Sequence, residues 1–186
     1  MLLDLLMYTN IFLAFIAFLS FGWGLKKFFI QPERKTLPMY FISEVGIICA
    51  IVQLVALTLF NKNDDLLTTI LGALLFIGSI TLYWTTIYVN RKNKLSLAYM
   101  DDRPSFLVKE GPYRLVRHPF YLSYILTWMA VPVVMFEPWL FITTLIMSLT
   151  YLGAAFKEEK KFAASELANE YSNYKKTTGM IFPKLI

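Results

Sequence analysis

At 186 residues, 57% of them hydrophobic and only 17% charged, with a mean hydropathy of +0.54, the chain is too apolar for an ordinary water-soluble domain of its size. Its formal net charge of +5 comes from 18 basic and 13 acidic residues. The basic ones gather between or after hydrophobic blocks, which excludes nucleic acid as the expected partner and points to a membrane.

The first block, 5–25, has no basic region before it and no small-residue cleavage site after it, so it reads as a retained transmembrane helix. The second, 39–60, is opened by Pro38, and the third covers 66–89. Each is about the ~20 residues needed to cross ~30 Å of hydrocarbon. A charged stretch fills 90–118, and apolar sequence then resumes at Pro119 and runs to Phe156, interrupted only by Glu137 and Pro138. That length predicts a helical hairpin of two short spans, 119–136 and 138–156, the first kinked at Pro132. In the tail, 157–176, Ala164, Leu167, Ala168, Tyr171 and Tyr174 recur at helical spacing among charges, which predicts an amphipathic helix. The expected fold is an all-α integral membrane protein of about five transmembrane helices plus this C-terminal helix, one membrane-embedded domain over 1–186.

Charge orients the spans. Lys26, Lys27, Arg34 and Lys35 follow the first, Arg91, Lys92, Lys94, Arg103, Lys109, Arg114 and Arg117 precede the fourth, and six lysines occupy the tail. The 61–65 loop carries Lys62 with Asp64 and Asp65. Five spans with an outward N-terminus put all three basic segments in the cytoplasm, where the 90–118 loop and the tail can meet.

Reactive side chains are densest from Gly111 to Tyr121, which holds the only histidine, His118, with Arg114, Arg117, Tyr113 and two prolines. Pro119 suits the first turn of a helix, whose free N–H groups, with Arg114, Arg117 and His118 beside them, suit a carboxylate or phosphate. The plainer alternative is that these residues anchor a helix end at the interface. Glu158 and Glu159 form the second cluster, either a solvated face among Lys157, Lys160 and Lys161 or the anionic half of a site for a ligand bearing both charges. Glu44 and Gln53, inside the second span, stay open between structural and functional roles. Cys49 is the sole cysteine, and with a single histidine no metal site is expected.

Leu107-Val108, Gly111-Pro112-Tyr113, Arg117-His118-Pro119-Phe120-Tyr121, the hairpin, Glu158-Glu159, Glu170-Tyr171, Tyr174 and Thr178 to Pro183 together resemble the isoprenylcysteine carboxyl methyltransferase family, grouped with phospholipid methyltransferases. The likeness covers about 90–186 and implies a small, prokaryotic-type enzyme of the cell membrane. It also implies S-adenosylmethionine as cofactor in a cytoplasmic-side pocket. Carried over, the cofactor contacts are Ser105, Phe106, Leu107, Val108, Tyr113, Arg117, His118, Pro119, Phe120, Tyr121 and the acidic pair. Counting back from Tyr171 prefers Glu159 over Glu158, and Arg114 and Glu159 are the expected catalytic positions. Two departures stand out: Leu167-Ala168 replaces the family's Phe-Gly, and Ala155 replaces the arginine that would grip a prenylcysteine carboxylate.

The function so implied is methyl transfer to a lipid-soluble, prenyl-type acceptor drawn from the bilayer. A carboxylate acceptor needs no base, because its attack on a sulfonium annihilates charge in a water-excluding pocket. An amine or phenol must shed a proton, to Glu159, Glu44 or water. The alternatives are a phospholipid (amino-lipid) N-methyltransferase, a nicotinamide-dependent membrane reductase, and a non-catalytic membrane protein.

Overall fold

In a lipid solvent every backbone N–H and C=O must be satisfied within its own segment, so the long apolar runs fold as helices. The computed structural model describes residues 1–34, 36–60, 64–92, 95–97, 99–100 and 103–184. Six α-helices carry them: α1 Leu2–Phe28, α2 Leu37–Leu59, α3 Leu66–Asn90, α4 Pro119–Met135, α5 Phe141–Ala163 and α6 Ala168–Thr177. Single 3-10 turns occupy Gly111–Arg114 and Pro138–Leu140. The starts follow local chemistry. Pro38 and Pro119 sit in first turns, and Asp65 caps α3 by accepting from the Leu67 amide at 2.9 Å.

The helices 2–28, 37–59 and 66–90 and the run 138–163 are long and apolar enough to cross a membrane. Their outer faces carry Phe12, Leu19, Phe41 and Leu67, each more than 60% exposed, while Asn10, Gln53, Thr69 and Ser79 are fully buried. Apolar outside and polar inside is the arrangement of a protein dissolved in lipid, and the chain is an integral membrane protein.

The fifth apolar helix, α4, is shorter. Its 17 residues reach about 25 Å at ~1.5 Å per residue. It can be short because it is enclosed: Ala130, Val131 and Val134 are fully buried against Ala14, Leu57 and Phe76 of α1, α2 and α3. The α3–α4 approach is so close that a Cβ on Gly72 would lie 2.0 Å from Val134 Cγ2. Ser79 of α3 donates across this seam to the Ser123 carbonyl of α4 at 2.6 Å and pairs with Thr127 at 2.7 Å.

Helix α4 continues through Pro132 to Met135. Pro132 has no N–H, so the Trp128 carbonyl loses its helical donor. Gln53 Nε2 from α2 at 3.0 Å and Thr144 Oγ1 from α5 at 2.6 Å replace it. Gln53, left open by the sequence, is therefore a structural cross-brace. Glu44 lies exposed on α2, away from the bundle interior. The hairpin turns at Phe136, whose φ of 53° is left-handed, before Pro138 opens the next turn.

The tail differs from the expected single helix over 157–176. α5 continues past Phe156 to Ala163, and the chain breaks at Ser165 before α6 begins. The Ser165 hydroxyl donates to the Phe162 carbonyl at 2.8 Å and accepts from the Leu167 amide at 3.2 Å. Such local side-chain bonds compete with the helix ladder. The acidic pair thus rides the last turns of the rigid α5, and α6 folds back beside them.

Candidate active site

At the basic end of the bundle, the N-terminus of α4, the C-terminal turns of α5, α6 and residues 95–97 and 103–108 enclose a pocket of about 310 Å³. This is near the lower end of the ~300–1,000 Å³ usual for small-molecule sites. Its wall includes Ser105, Phe106, Leu107, Val108, Tyr113, Arg117, His118, Pro119, Phe120, Tyr121 and Glu158, so most of the residues singled out from sequence meet there. From Arg103 to Val108 the chain is irregular and makes no backbone–backbone hydrogen bond to another described residue, leaving peptide groups beside the pocket for a ligand.

The floor is built from the turn Gly111–Arg114. Tyr113 is buried, its hydroxyl accepting from Asn90 Nδ2 of α3 at 3.0 Å and its carbonyl accepting from the Tyr174 hydroxyl of α6. Burial pushes the Tyr113 and Tyr171 phenols well above their usual pKa, and Tyr174 up to about 12, so all three stay neutral donors near pH 7.

The two acids separate at this point. Adjacent helix positions differ by about 100° around the axis. Glu158 turns to the pocket with 26% of its side chain exposed, whereas Glu159 turns inward with 9%. One Glu158 oxygen accepts from the Tyr121 hydroxyl at 2.5 Å and the other faces His118 Nδ1 at 3.2 Å. Tyr121 is fixed by stacking between His118, centroids 5.5 Å apart, and Tyr151 at 5.6 Å. Burial alone would push the His118 pKa down, but the Glu158 and Glu159 carboxylates outweigh it, and the imidazole holds its proton above the usual histidine value.

Glu159 is not on the wall. One of its oxygens accepts from Arg117 Nε at 2.9 Å and Nη2 at 2.6 Å, and the other meets Lys175 Nζ of α6 at 2.7 Å. The sequence preferred Glu159 to Glu158 as the acid that holds the cofactor; in the structure it is Glu158 that lines the pocket, with Glu159 behind it. Arg114, expected as a catalytic position, stands exposed at the end of its turn and is not among the residues that line the pocket. Sequence reasoning missed Arg103, Lys161 and Phe162, all of which line it. Lys161 and Phe162 lie three and four residues beyond Glu158 and so share its helix face, a signal the spacing did contain.

Two lining side chains keep a buried polar atom without a hydrogen-bond partner among the described residues, His118 Nε2 and Tyr171 Oη. Among the described residues no group of acids, histidines and cysteines could hold a metal ion.

Fold and site together define a helical membrane protein with a charged, partly unsatisfied small-molecule pocket at the end of its most enclosed helix. Residues 67–169, more than half of the chain and spanning α3, α4, α5 and most of the pocket wall, match the phospholipid methyltransferase family, and the chain belongs to it. That family stands in one superfamily with the isoprenylcysteine carboxyl methyltransferases. No curated protein matches the chain.

Proposed function

We propose that the protein transfers a methyl group from S-adenosylmethionine to a lipid-soluble acceptor, in the pocket at the basic end of the bundle. The observation that carries this reading is the Glu158 carboxylate, presented to the pocket by two fixed donors inside the family-matched segment.

The residues present fit the cofactor. Glu158 suits its cationic groups, Arg103 and Lys161 its carboxylate, and Phe106 and Phe162 its flat base, while the peptide groups of 103–108, which make no backbone bond to another described residue, and His118 Nε2 offer hydrogen bonds. When bound, the cofactor supplies an electrophilic methyl group on a sulfonium. The chain's own work is to orient the two reactants and to exclude water, through the apolar wall of Leu107, Val108, Pro119 and Phe120.

For the acceptor we favour a lipid headgroup amine over a prenylcysteine carboxylate. A carboxylate would call for a cation on α5 one turn before the acids, yet Ala154 and Ala155 stand there, 3% and 0% exposed. An ammonium headgroup instead suits the Glu158 anion, and before its nitrogen can attack the methyl group it sheds a proton, to Glu158 or to water. The three basic segments support a cytoplasmic position for this end of the bundle, with the acceptor arriving sideways from the inner leaflet.

Calorimetry in detergent with S-adenosylmethionine, its demethylated product and NADPH in parallel tests the reading. Binding of the first two is expected, weakened roughly ten- to a hundredfold by Glu158→Gln through the lost charge. Saturable binding of NADPH alone would overturn it.

A further inference from the structure

The pocket's second acid has a different task. Three parts of the chain meet at Glu159, namely its own helix α5, the 116–118 segment and α6, and the 116–118 segment in turn holds the tail beyond α6. Arg117 sits at the centre of this junction, 8% exposed. Its Nε and Nη2 donate to Glu159, and its Nη1 donates to the Thr178 carbonyl. Its backbone N–H donates to the Gly179 carbonyl at 2.8 Å, and the next amide, of His118, donates to the Met180 carbonyl at 3.0 Å. Lys175 closes the far side on the other Glu159 oxygen.

The tail therefore docks through its backbone on the same two residues whose side chains face the pocket. Gly179 is held too tightly there for a side chain, since a Cβ would lie 1.8 Å from the Phe182 carbonyl oxygen. Helix α6, from which the docked tail continues, supplies part of the wall, because Tyr171 and Tyr174 line the pocket and Tyr171 stacks on Phe162 with centroids 4.5 Å apart.

We propose that Glu159 is a positioning residue: through Arg117 and Lys175 it clasps the C-terminal tail onto the pocket, and ligand affinity depends on that clasp. The inference rests on the proposed function for the identity of the ligand. Because linkage is reciprocal, whatever loosens the tail weakens the ligand, and a bound ligand tightens the tail.

The test uses the full chain in detergent, with two readouts: calorimetric binding of S-adenosylmethionine and hydrogen exchange at the Arg117 and His118 amides. Glu159→Gln should speed exchange at both amides by about tenfold or more and weaken binding by a similar factor. Lys175→Gln should move both readouts the same way by less, its side chain being 45% exposed. Glu158→Gln should weaken binding and leave the exchange as in the wild type. Weakened binding in Glu159→Gln with wild-type exchange would overturn the proposal, since Glu159 would then touch the ligand itself. Faster exchange with undiminished binding would overturn it too, since the tail would then be irrelevant to the pocket. If Glu159→Gln does not fold, Lys175→Gln decides by the same two readouts. If the wild type binds no S-adenosylmethionine, the proposed function falls and exchange alone decides: the clasp stands only if Glu159→Gln, unlike Glu158→Gln, releases the two amides.

Discussion

The membrane core and the pocket end both bury polar side chains, but they do so in opposite ways. In the core the buried groups are neutral and braced across helices, as when Asn10 donates to the Thr69 carbonyl, Ser79 to the Ser123 carbonyl and Gln53 to the Trp128 carbonyl. At the pocket end they are charged and paired, Arg117 and Lys175 with Glu159 and His118 with Glu158 and Glu159. Neutral groups that answer one another hold helices together at small cost, whereas a buried charge is tolerated only beside opposite charges. The difference teaches how to read polarity inside a membrane protein: Gln53 and Glu159 are both buried, yet one repairs a helix and the other organises a site.

The largest way to break the comparison is to remove the charge that balances the pocket end. Glu159→Ala leaves Arg117 and His118 buried without their shared anion, and a loss of about 3–5 kcal/mol is expected on removing one partner of a buried ion pair. Unfolding in detergent measures it. A loss no larger than that of a core hydrogen bond would erase the distinction between the two regions.

The core can be probed by a cycle. Gln53→Leu should cost about 1–2 kcal/mol, because the Trp128 carbonyl keeps only its Thr144 donor. Pro132→Ala restores the missing helical N–H, so the same Gln53→Leu change should cost less in that background, by roughly 0.5 kcal/mol or more. Equal costs in both backgrounds would mean that Gln53 does not compensate for the proline.

The smallest expected effect is on pH dependence, and it sharpens the contrast because the core of the bundle has no comparable charge. His118 holds its proton more tightly folded than unfolded, so its contribution is complete below the usual histidine pKa of about 6.5 and is lost as pH rises through its higher folded value. Stability should therefore fall on raising the pH through that window, and His118→Gln should flatten the decline. A rise over the same window would contradict the protonated imidazole.

Much of this protein was legible in its residues because lipid makes the rules strict. Blocks of about 20 apolar residues become helices, and the joint pattern from Ser105 to Tyr121 with the acids after the hairpin carried the family resemblance that the match over 67–169 bears out. Local chemistry also marked helix starts at Pro38 and Pro119. What stayed hidden depended on direction. Whether Glu158 or Glu159 faces the pocket is a rotation of about 100°, set by how α5 packs in the bundle. Arg114 and Arg117 are equal candidates in sequence, but only Arg117 is turned inward by the tail carbonyls of Thr178 and Gly179. The Gln53 brace was equally invisible, since it joins a proline on α4 to a side chain on α2 more than seventy residues away. The sequence by itself determined that the chain lies in a membrane, and which short stretches hold its reactive groups. Only the tertiary structure decided which of those groups line the pocket and which meet each other, because that depends on helix rotation and on contacts between distant segments that no local pattern encodes.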